Sequence, residues 1–320
     1  MKTLLKAVFT LVLLALVFRA VDPARLAQAF LNLRPGYVAL AVGALLVSTA
    51  IASWRWHLIM RSLDFRASEG FHFRSYFKGA FFNQALPGSI GGDAVRVLDV
   101  AALGYRKRDA FVGIFIDRIV GLSGLLVLNL TANNLTHGLL PGWLFRLVNL
   151  ICLSGLAGVL LLMFLHRSER LGRIKLLLPF TTLSRRFRQV YHSWQASLGQ
   201  LALSVVIHLF PILALFFLAR ATGLDIKLGV FMVVAPPVFL LTLLPVSLAG
   251  WGVREGAMVG LFVLIGEPRE AILTLSLLYG LAQIVASLPG LYFLWRSKHP
   301  KRRPLSPNPS PPGGGEHTRG

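Results

Sequence analysis

Pro87-Gly-Ser-Ile-Gly-Gly-Asp-Ala-Val-Arg96 and Pro245-Val-Ser-Leu-Ala-Gly-Trp-Gly-Val-Arg254 stand 158 positions apart and align without a gap. Five of the ten positions are identical (Pro, Ser, Gly, Val, Arg), and Ile/Leu and Gly/Ala are near matches. Each motif interrupts an apolar stretch, Phe71–Leu103 in the first case and Leu228–Ile265 in the second. Proline withdraws a backbone donor and crowds the preceding turn. Gly91, Gly92, Gly250 and Gly252 permit turns that other residues resist. Each stretch is therefore expected to break into two half-helices, Ser75–Leu86 with Asp93–Leu103 and Gly229–Leu244 with Gly252–Ile265.

Unbroken apolar runs surround these stretches: Leu4–Phe18, Tyr37–Ser53, Ala110–Leu130, Trp143–Leu165, Leu198–Leu218 and Ala271–Trp295. A bilayer core of ~30 Å needs about 20 apolar residues per spanning helix. The composition agrees, with 55% hydrophobic and 14% charged side chains and a mean hydropathy of +0.67. Such a chain is neither disordered nor a zinc-finger array, and its single cysteine, Cys152, forms no intrachain disulfide. The expected fold class is all-α: a polytopic membrane protein with about six full spans plus two broken re-entrant hairpins.

The net charge of +20 takes its meaning from its placement. With the N-terminus inside, the inner segments hold twenty-four Lys and Arg and the outer ones seven, with Arg118 and Arg146 within spans. That is the positive-inside asymmetry, with both termini cytoplasmic. No basic soluble domain remains to bind nucleic acid. Lys2 and Lys6 precede an apolar run as in a signal peptide, but Phe18-Arg19-Ala20-Val21-Asp22 is a poor cleavage site. Asp22-Pro23 opens an expected interfacial helix over Ala24–Leu33. Residues 1–298 form the expected membrane domain, and the Pro/Gly-rich residues 299–320 a disordered cytoplasmic tail.

Under this topology Tyr37–Ser53 runs from outside to inside and Leu198–Leu218 the other way. The unit of span, broken hairpin and span occurs twice, over about 37–131 and 197–295, and the two copies are inverted. Inverted repeats with discontinuous helices typify secondary transporters, whose site lies at the repeat interface near the midplane. Non-helical backbone at that depth is tolerated only inside protein or beside water, so the motif loops are expected to line a cavity.

The candidate binding residues follow from that placement. Arg96 and Arg254 sit near the start of the second half-helices, where a cation opposes the helix dipole. An anion held between them, such as a lipid phosphate, makes sense of both. The competing reading is that each arginine pairs with a carboxylate or with carbonyls to hold its loop. Asp93 is three residues from Arg96 and can reach it, whereas Glu255, adjacent to Arg254, does not face it on a helix. Asp117 and Arg118 lie inside a span, where ionisable groups are expensive and commonly functional. Asp117 serves the site, or it neutralises Arg96 or Arg118. Proton coupling through Asp117 or Glu255 stays open. Ser89 and Ser247 cap the following half-helices or meet the headgroup. Gly91, Gly92 and Gly250 open the loops, Trp251 stacks on a substrate or plugs its loop, and Asn83 and Gln84 face the cavity. Arg55, between Trp54 and Trp56, is read as an interface anchor.

Other chemistry is missing from the pattern. The eight histidines include no i,i+4 metal pair, and no glycine-rich nucleotide loop with a following lysine is present. No catalytic residue, metal or cofactor is assigned. A transporter or flippase for an anionic lipid is the leading reading. Two others stay open: a membrane transferase of lipid or glycolipid biosynthesis using Asp93, Asp117 or Glu255 as base, and an accessory subunit that recruits a biosynthetic enzyme partner through its basic loops.

The two motifs, with Asp117-Arg118 and Glu255, resemble the transmembrane region of the lysylphosphatidylglycerol synthase family, also called flippase-like domain proteins, over about residues 1–298. The resemblance implies an integral inner-membrane protein that handles phospholipid, polyprenyl-phosphate-linked or hopanoid-type lipids. Larger members add a soluble aminoacyl-transferase domain; no such domain is expected in this sequence, so the synthase activity is not carried over.

Overall fold

The computed structural model describes residues 32–85, 91–167, 178–243, 247 and 249–296. The expected first span, all but the last two residues of Ala24–Leu33, the tail and Ser89 lie outside them. Among the described residues there are ten α-helices and no strand: α1 Pro35–Ser62, α2 Glu69–Ala85, α3 Gly91–Ala101, α4 Lys107–Leu135, α5 Gly142–Phe164, α6 Leu178–Val190, α7 Trp194–Ala221, α8 Leu228–Thr242, α9 Val253–Val263 and α10 Arg269–Arg296. A short 3-10 turn, Leu165–Arg167, extends α5.

Among the described residues five helices are long and apolar enough to cross a bilayer: α1, α4, α5 with its terminal turn, α7 and α10. They coincide with the expected spans and overrun them, because arginines and polar residues at their ends continue the helical backbone. The two broken stretches become α2 with α3 and α8 with α9. Helix α2 begins at Glu69, earlier than the expected Ser75, and carries a fully buried His72 in its first turns.

Proline alone does not end a helix here, and Pro87 and Pro245 of the two motifs lie outside the described residues. Pro211, Pro236, Pro237 and Pro289 all sit inside continuous helices, as membrane helices allow when neighbours satisfy the freed carbonyls. The second break includes left-handed backbone at Ala249, Gly250 and Gly252 (φ 48°, 80° and 82°), a conformation that favours glycine. The first pair of glycines works differently. Gly91 and Gly92 are already helical, at the start of α3. A Cβ on Gly92 would stand 2.1 Å from the Gly79 carbonyl oxygen, so its missing side chain lets α3 press against α2. The Gly92 N–H donates to Asn83 Oδ1 at 2.8 Å and closes that hairpin.

The packing maps onto itself when the repeats are exchanged. Helix α2 packs on α10 as α8 packs on α4, and α1 packs on α10 as α7 packs on α4. Likewise α3 packs on α4 as α9 packs on α10, and the equivalent helices α1 and α7 pack on each other. Small residues on α1 (Ala41, Ala44, Ser48, Ala52) are buried, the composition that lets membrane helices approach closely. The Arg34 N–H donates to the Ala221 carbonyl at 3.0 Å, and Ser48 Oγ to the Ile207 carbonyl at 2.8 Å. Arg55 Nη1 donates to Ser204 Oγ at 2.8 Å. Residue numbers fall along α7 as they rise along α1, so the equivalent helices are antiparallel and the repeats are inverted.

Helix α6 was not anticipated; it lies in the segment read as a basic loop. Phe187 and Val190 are buried with Trp56 and Met60 in one apolar cluster. Helices α4 and α10 are the most enclosed spans, with 61% and 67% of their spanning windows buried, and α5 is the least, at 11%. The hairpins therefore lean on α4 and α10, while α5 offers its side chains to lipid.

Gly290 of α10 lies so close to α2 that a Cβ there would stand 2.0 Å from the Phe77 carbonyl oxygen. Gly290→Ala should cost about 1–3 kcal/mol through overpacking and lower the apparent melting temperature in detergent. Gly43→Ala, whose Cβ meets nothing within 4 Å, should leave it unchanged or raise it slightly.

Candidate functional site

Asp117, 2% exposed in the middle of α4, accepts from two arginines. Its Oδ1 receives Arg55 Nη2 at 2.9 Å and Arg55 Nε at 3.2 Å, and its Oδ2 receives Arg96 Nη2 at 2.7 Å. Arg96 Nη1 also reaches Asp93 Oδ1 at 3.3 Å, and Asp93 pairs in turn with Arg118. One polar chain thus joins α1, α3, α4 and α7, ending at Ser204, whose hydroxyl donates to the Gln200 carbonyl at 2.7 Å. Room for the guanidinium groups comes from missing side chains. A Cβ on Gly121 would stand 3.1 Å from Arg55 Nη2, and one on Gly79 would stand 3.2 Å from Arg96 Cγ and Cδ. The Arg96 guanidinium carbon lies 4.1 Å from the Trp56 ring centroid and 4.5 Å from that of Tyr76.

A second cluster forms at the equivalent place in the other repeat. Glu255, fully buried, folds back over the start of α9, accepting from the Gly252 N–H at 2.6 Å. The same carboxylate accepts from Arg254 Nε at 2.9 Å, from Arg254 Nη2 at 2.5 Å and from Ser276 Oγ at 3.2 Å. Arg254 Nη1 donates to Gln283 Oε1 at 3.0 Å. Its guanidinium carbon is 4.6 Å from the Trp251 ring centroid and 5.8 Å from that of Tyr279. Gly280 makes way for both, since a Cβ there would stand 2.4 Å from Arg254 Nη2.

Several expectations change against this geometry. Arg254 and Glu255 are adjacent in sequence and nevertheless form an ion pair. The rule that neighbours diverge holds for helix interiors, whereas at the first turn the Glu255 chain turns back to the open amide of Gly252 and meets Arg254 there. Arg55 is no interface anchor: it is 4% exposed, while Trp54 beside it is 44% exposed. Trp251 covers Arg254. Ser247 is buried but does not cap a helix, for its hydroxyl has no hydrogen-bond partner and the residue before α9 is Gly252. Gly250 takes the left-handed turn. The dipole conflict at Arg96 and Arg254 is answered partly by the protein's own carboxylates, since Asp93 and Glu255 occupy the first turns of α3 and α9.

Arg96 and Arg254 have no described partner in common. The first cluster holds three guanidinium groups (Arg55, Arg96, Arg118) against two carboxylates (Asp93, Asp117), and the second one against one. Asp117 and Asp93 thus each answer two guanidinium groups, and among the described residues Arg96 Nε is a buried donor with no acceptor.

The model of the family described as Lysylphosphatidylglycerol synthase TM region matches residues 3–290. The chain belongs to this family. Nothing among curated proteins matches it. A lysylphosphatidylglycerol synthase TM region, here a multi-pass protein, places the chain in lipid-related biosynthesis or flipping. The family motifs are the segments that carry both clusters, with Arg55 supplied from outside them. A signal for Arg55 existed in the sequence: an arginine flanked by Trp54 and Trp56 lies only two residues beyond the apolar run Tyr37–Ser53. If the helix continues, it becomes an intramembrane charge in need of a counter-ion.

Asp117→Asn leaves two buried guanidinium groups without their shared carboxylate and should destabilise by about 3–5 kcal/mol, read as a fall in apparent melting temperature and in monodisperse yield. Asp225→Asn, which removes an exposed partner of Arg220, should cost about 0–1 kcal/mol and leave both readings near wild type.

Proposed function

We propose that this protein moves an anionic lipid across the inner membrane, or presents it there, holding the headgroup at the arginine-bearing hairpins of its two repeats. The observation that carries the reading is Arg96, 5% exposed among the helices, which shares the single carboxylate of Asp117 with Arg55. Charge inside a membrane domain is expensive, and an anionic headgroup adds a counter-charge for these guanidinium groups. Two further features support the reading. Gln84 Oε1, near the end of α2, and Ser247 Oγ, at the second break, are buried polar atoms without partners, one at each hairpin. Helices α4 and α10 each touch both hairpins, so rocking of one repeat against the other would move both sets of polar groups together. The lysine and arginine asymmetry supports cytoplasmic termini, and the basic inner loops suit a biosynthetic enzyme that makes or consumes the lipid.

The test is translocation of a fluorescent phosphatidylglycerol in proteoliposomes, read by chemical quenching of the outer leaflet. Arg96→Ala removes one guanidinium group while Asp117 keeps Arg55 as partner, so the protein still inserts. In Arg254→Ala, Glu255 keeps the Gly252 amide and Ser276. Each variant should slow translocation by about tenfold or more, the scale of one lost charge-assisted hydrogen bond. Wild-type rates in both variants would refute the mechanism.

A further inference from the structure

Gly121 of α4 and Gly280 of α10 each leave room for a guanidinium group, and they stand 159 positions apart. Asp117 and Ser276, which hydrogen-bond within the first and the second cluster, stand the same distance apart. The two helices therefore share a register, and their other residues can be matched one to one. On α4, Leu122, Leu126 and Asn133 meet α5. Leu126 is 2% exposed and shares a cluster with Leu144, Val148 and Cys152, against which Leu122 also packs. It presses on α5 where Gly155 has no side chain, since a Cβ there would stand 2.7 Å from Leu126 Cδ1. Asn133 Nδ2 donates to Asn149 Oδ1 at 2.8 Å.

The matching residues of α10 are Leu281, Val285 and Tyr292, and they are 45%, 49% and 49% exposed. With Leu288, also exposed, they follow the spacing i, i+4, i+7, i+11 of one continuous helical stripe. Among the described residues, a face that is covered in one repeat is thus open in the other. An apolar stripe on a membrane helix is satisfied by lipid as well as by protein, so symmetry and chain order have to choose its occupant.

Helix α5, which covers α4, comes before α7, which also packs on α4, and α6 lies between them. Helix α1, the equivalent of α7, packs on α10. It is preceded by the apolar run Leu4–Phe18 and then by Ala24–Leu33. The second of these carries the apolar pattern of α6: Leu26, Phe30 and Leu33 each stand 157 positions before Leu183, Phe187 and Val190. Leu33, the described one of the three, packs against the cluster that holds Leu218 and Ala219 near the end of α7. Val190 packs in the same way with Met60 and Leu63 at the end of α1. Sixteen residues separate Phe18 from Pro35, up to about 50 Å of extended chain, which is ample reach to a helix that α1 already touches.

We infer that the stripe Leu281, Val285, Leu288 and Tyr292 of α10 is an interaction surface for the chain's own run Leu4–Phe18, as the matching face of α4 is for α5. The repeated unit is then longer than span, hairpin and span: a covering apolar run and an amphipathic stretch precede them in both copies. The inference stands on packing and sequence and does not depend on the lipid-handling reading.

The experiment is disulfide cross-linking of the full chain in isolated membranes. Cys152→Ala removes the single native thiol. Under the inverted topology the run and α10 point in opposite directions, and Val8, Phe9, Thr10 and Leu11 are level with Val285. Four consecutive positions sample every face of a helix. Each is changed to cysteine in turn, together with Val285→Cys, and the membranes are oxidised; a disulfide closes only where the two Cα atoms come within about 7 Å. One or two of the four pairs should close within a single chain, read by intact mass spectrometry as a monomeric mass with both thiols lost to maleimide. The same four positions paired with Leu150→Cys, on the exposed side of α5, should stay open. A second series with Leu288→Cys should move the closing position about one turn toward Lys2, and it keeps the test intact if Val285→Cys fails to fold. Disulfides between chains place a second copy on the stripe and overturn the inference. Free thiols throughout both series, in protein that keeps the wild-type apparent melting temperature, leave the stripe to lipid and overturn it as well. Lipid binding is not read, so neither outcome bears on the proposed function.

Discussion

A charge carried into a membrane domain has to meet its counter-charge inside the protein, and here that meeting happens at Asp117. Its two carboxylate oxygens receive Arg55 from α1 and Arg96 from α3, so one side chain on α4 fixes two other helices. Taking ions out of water costs several kcal/mol each even after relaxation, and the attraction repays this only where geometry and added hydrogen bonds are good. The additional bonds to Asp93 and Ser204, and the aromatic rings of Trp56 and Tyr76 on Arg96, meet that condition. Helix α3 has only eleven residues and cannot span alone; this network and its contact with α2 through Gly92 hold it at depth.

The frame around the network is symmetric and the chemistry is not. Exchange of the repeats maps each principal helix contact onto another, yet the equivalent arginines are answered differently. Arg254 meets Glu255 on its own half-helix, with Gln283 and Ser276 from α10, and the result is neutral. Arg96 is answered by Asp117, which Arg55 shares. Because α4 and α10 each lean on both hairpins, a change at one cluster has a packed route to the other.

The repeat was legible because Pro, Ser, Gly, Val and Arg recur at fixed spacing, and the spans because a bilayer sets a length that composition reveals. The half-helices were found to within a few residues at most ends, since the motif glycines mark the breaks. What the glycines do there was not legible: Gly252 turns the chain while Gly92 admits a neighbour, and only packing distinguishes the two. Arg55 was misread because hydropathy ends the span at the first charge, whereas the helix continues nine residues past Ser53. The Arg254–Glu255 pair was ruled out by a helix-interior rule applied to a first turn. Helix α6 was missed because its charges hide its periodicity. Leu183, Phe187 and Val190 follow helical spacing, but Arg185, Arg186 and Arg188 between them read as a loop.

The central claim is that the arginine-bearing cluster around Asp117 holds an anionic lipid. Native mass spectrometry of the full chain, released from uncharged detergent after mild extraction, tests it directly. The account predicts retention of a phosphate-bearing anionic lipid that is lost in Arg96→Ala and kept in Asp225→Asn. Retention of zwitterionic lipids alone, or of the same anionic lipid to the same extent in Arg96→Ala, would contradict it.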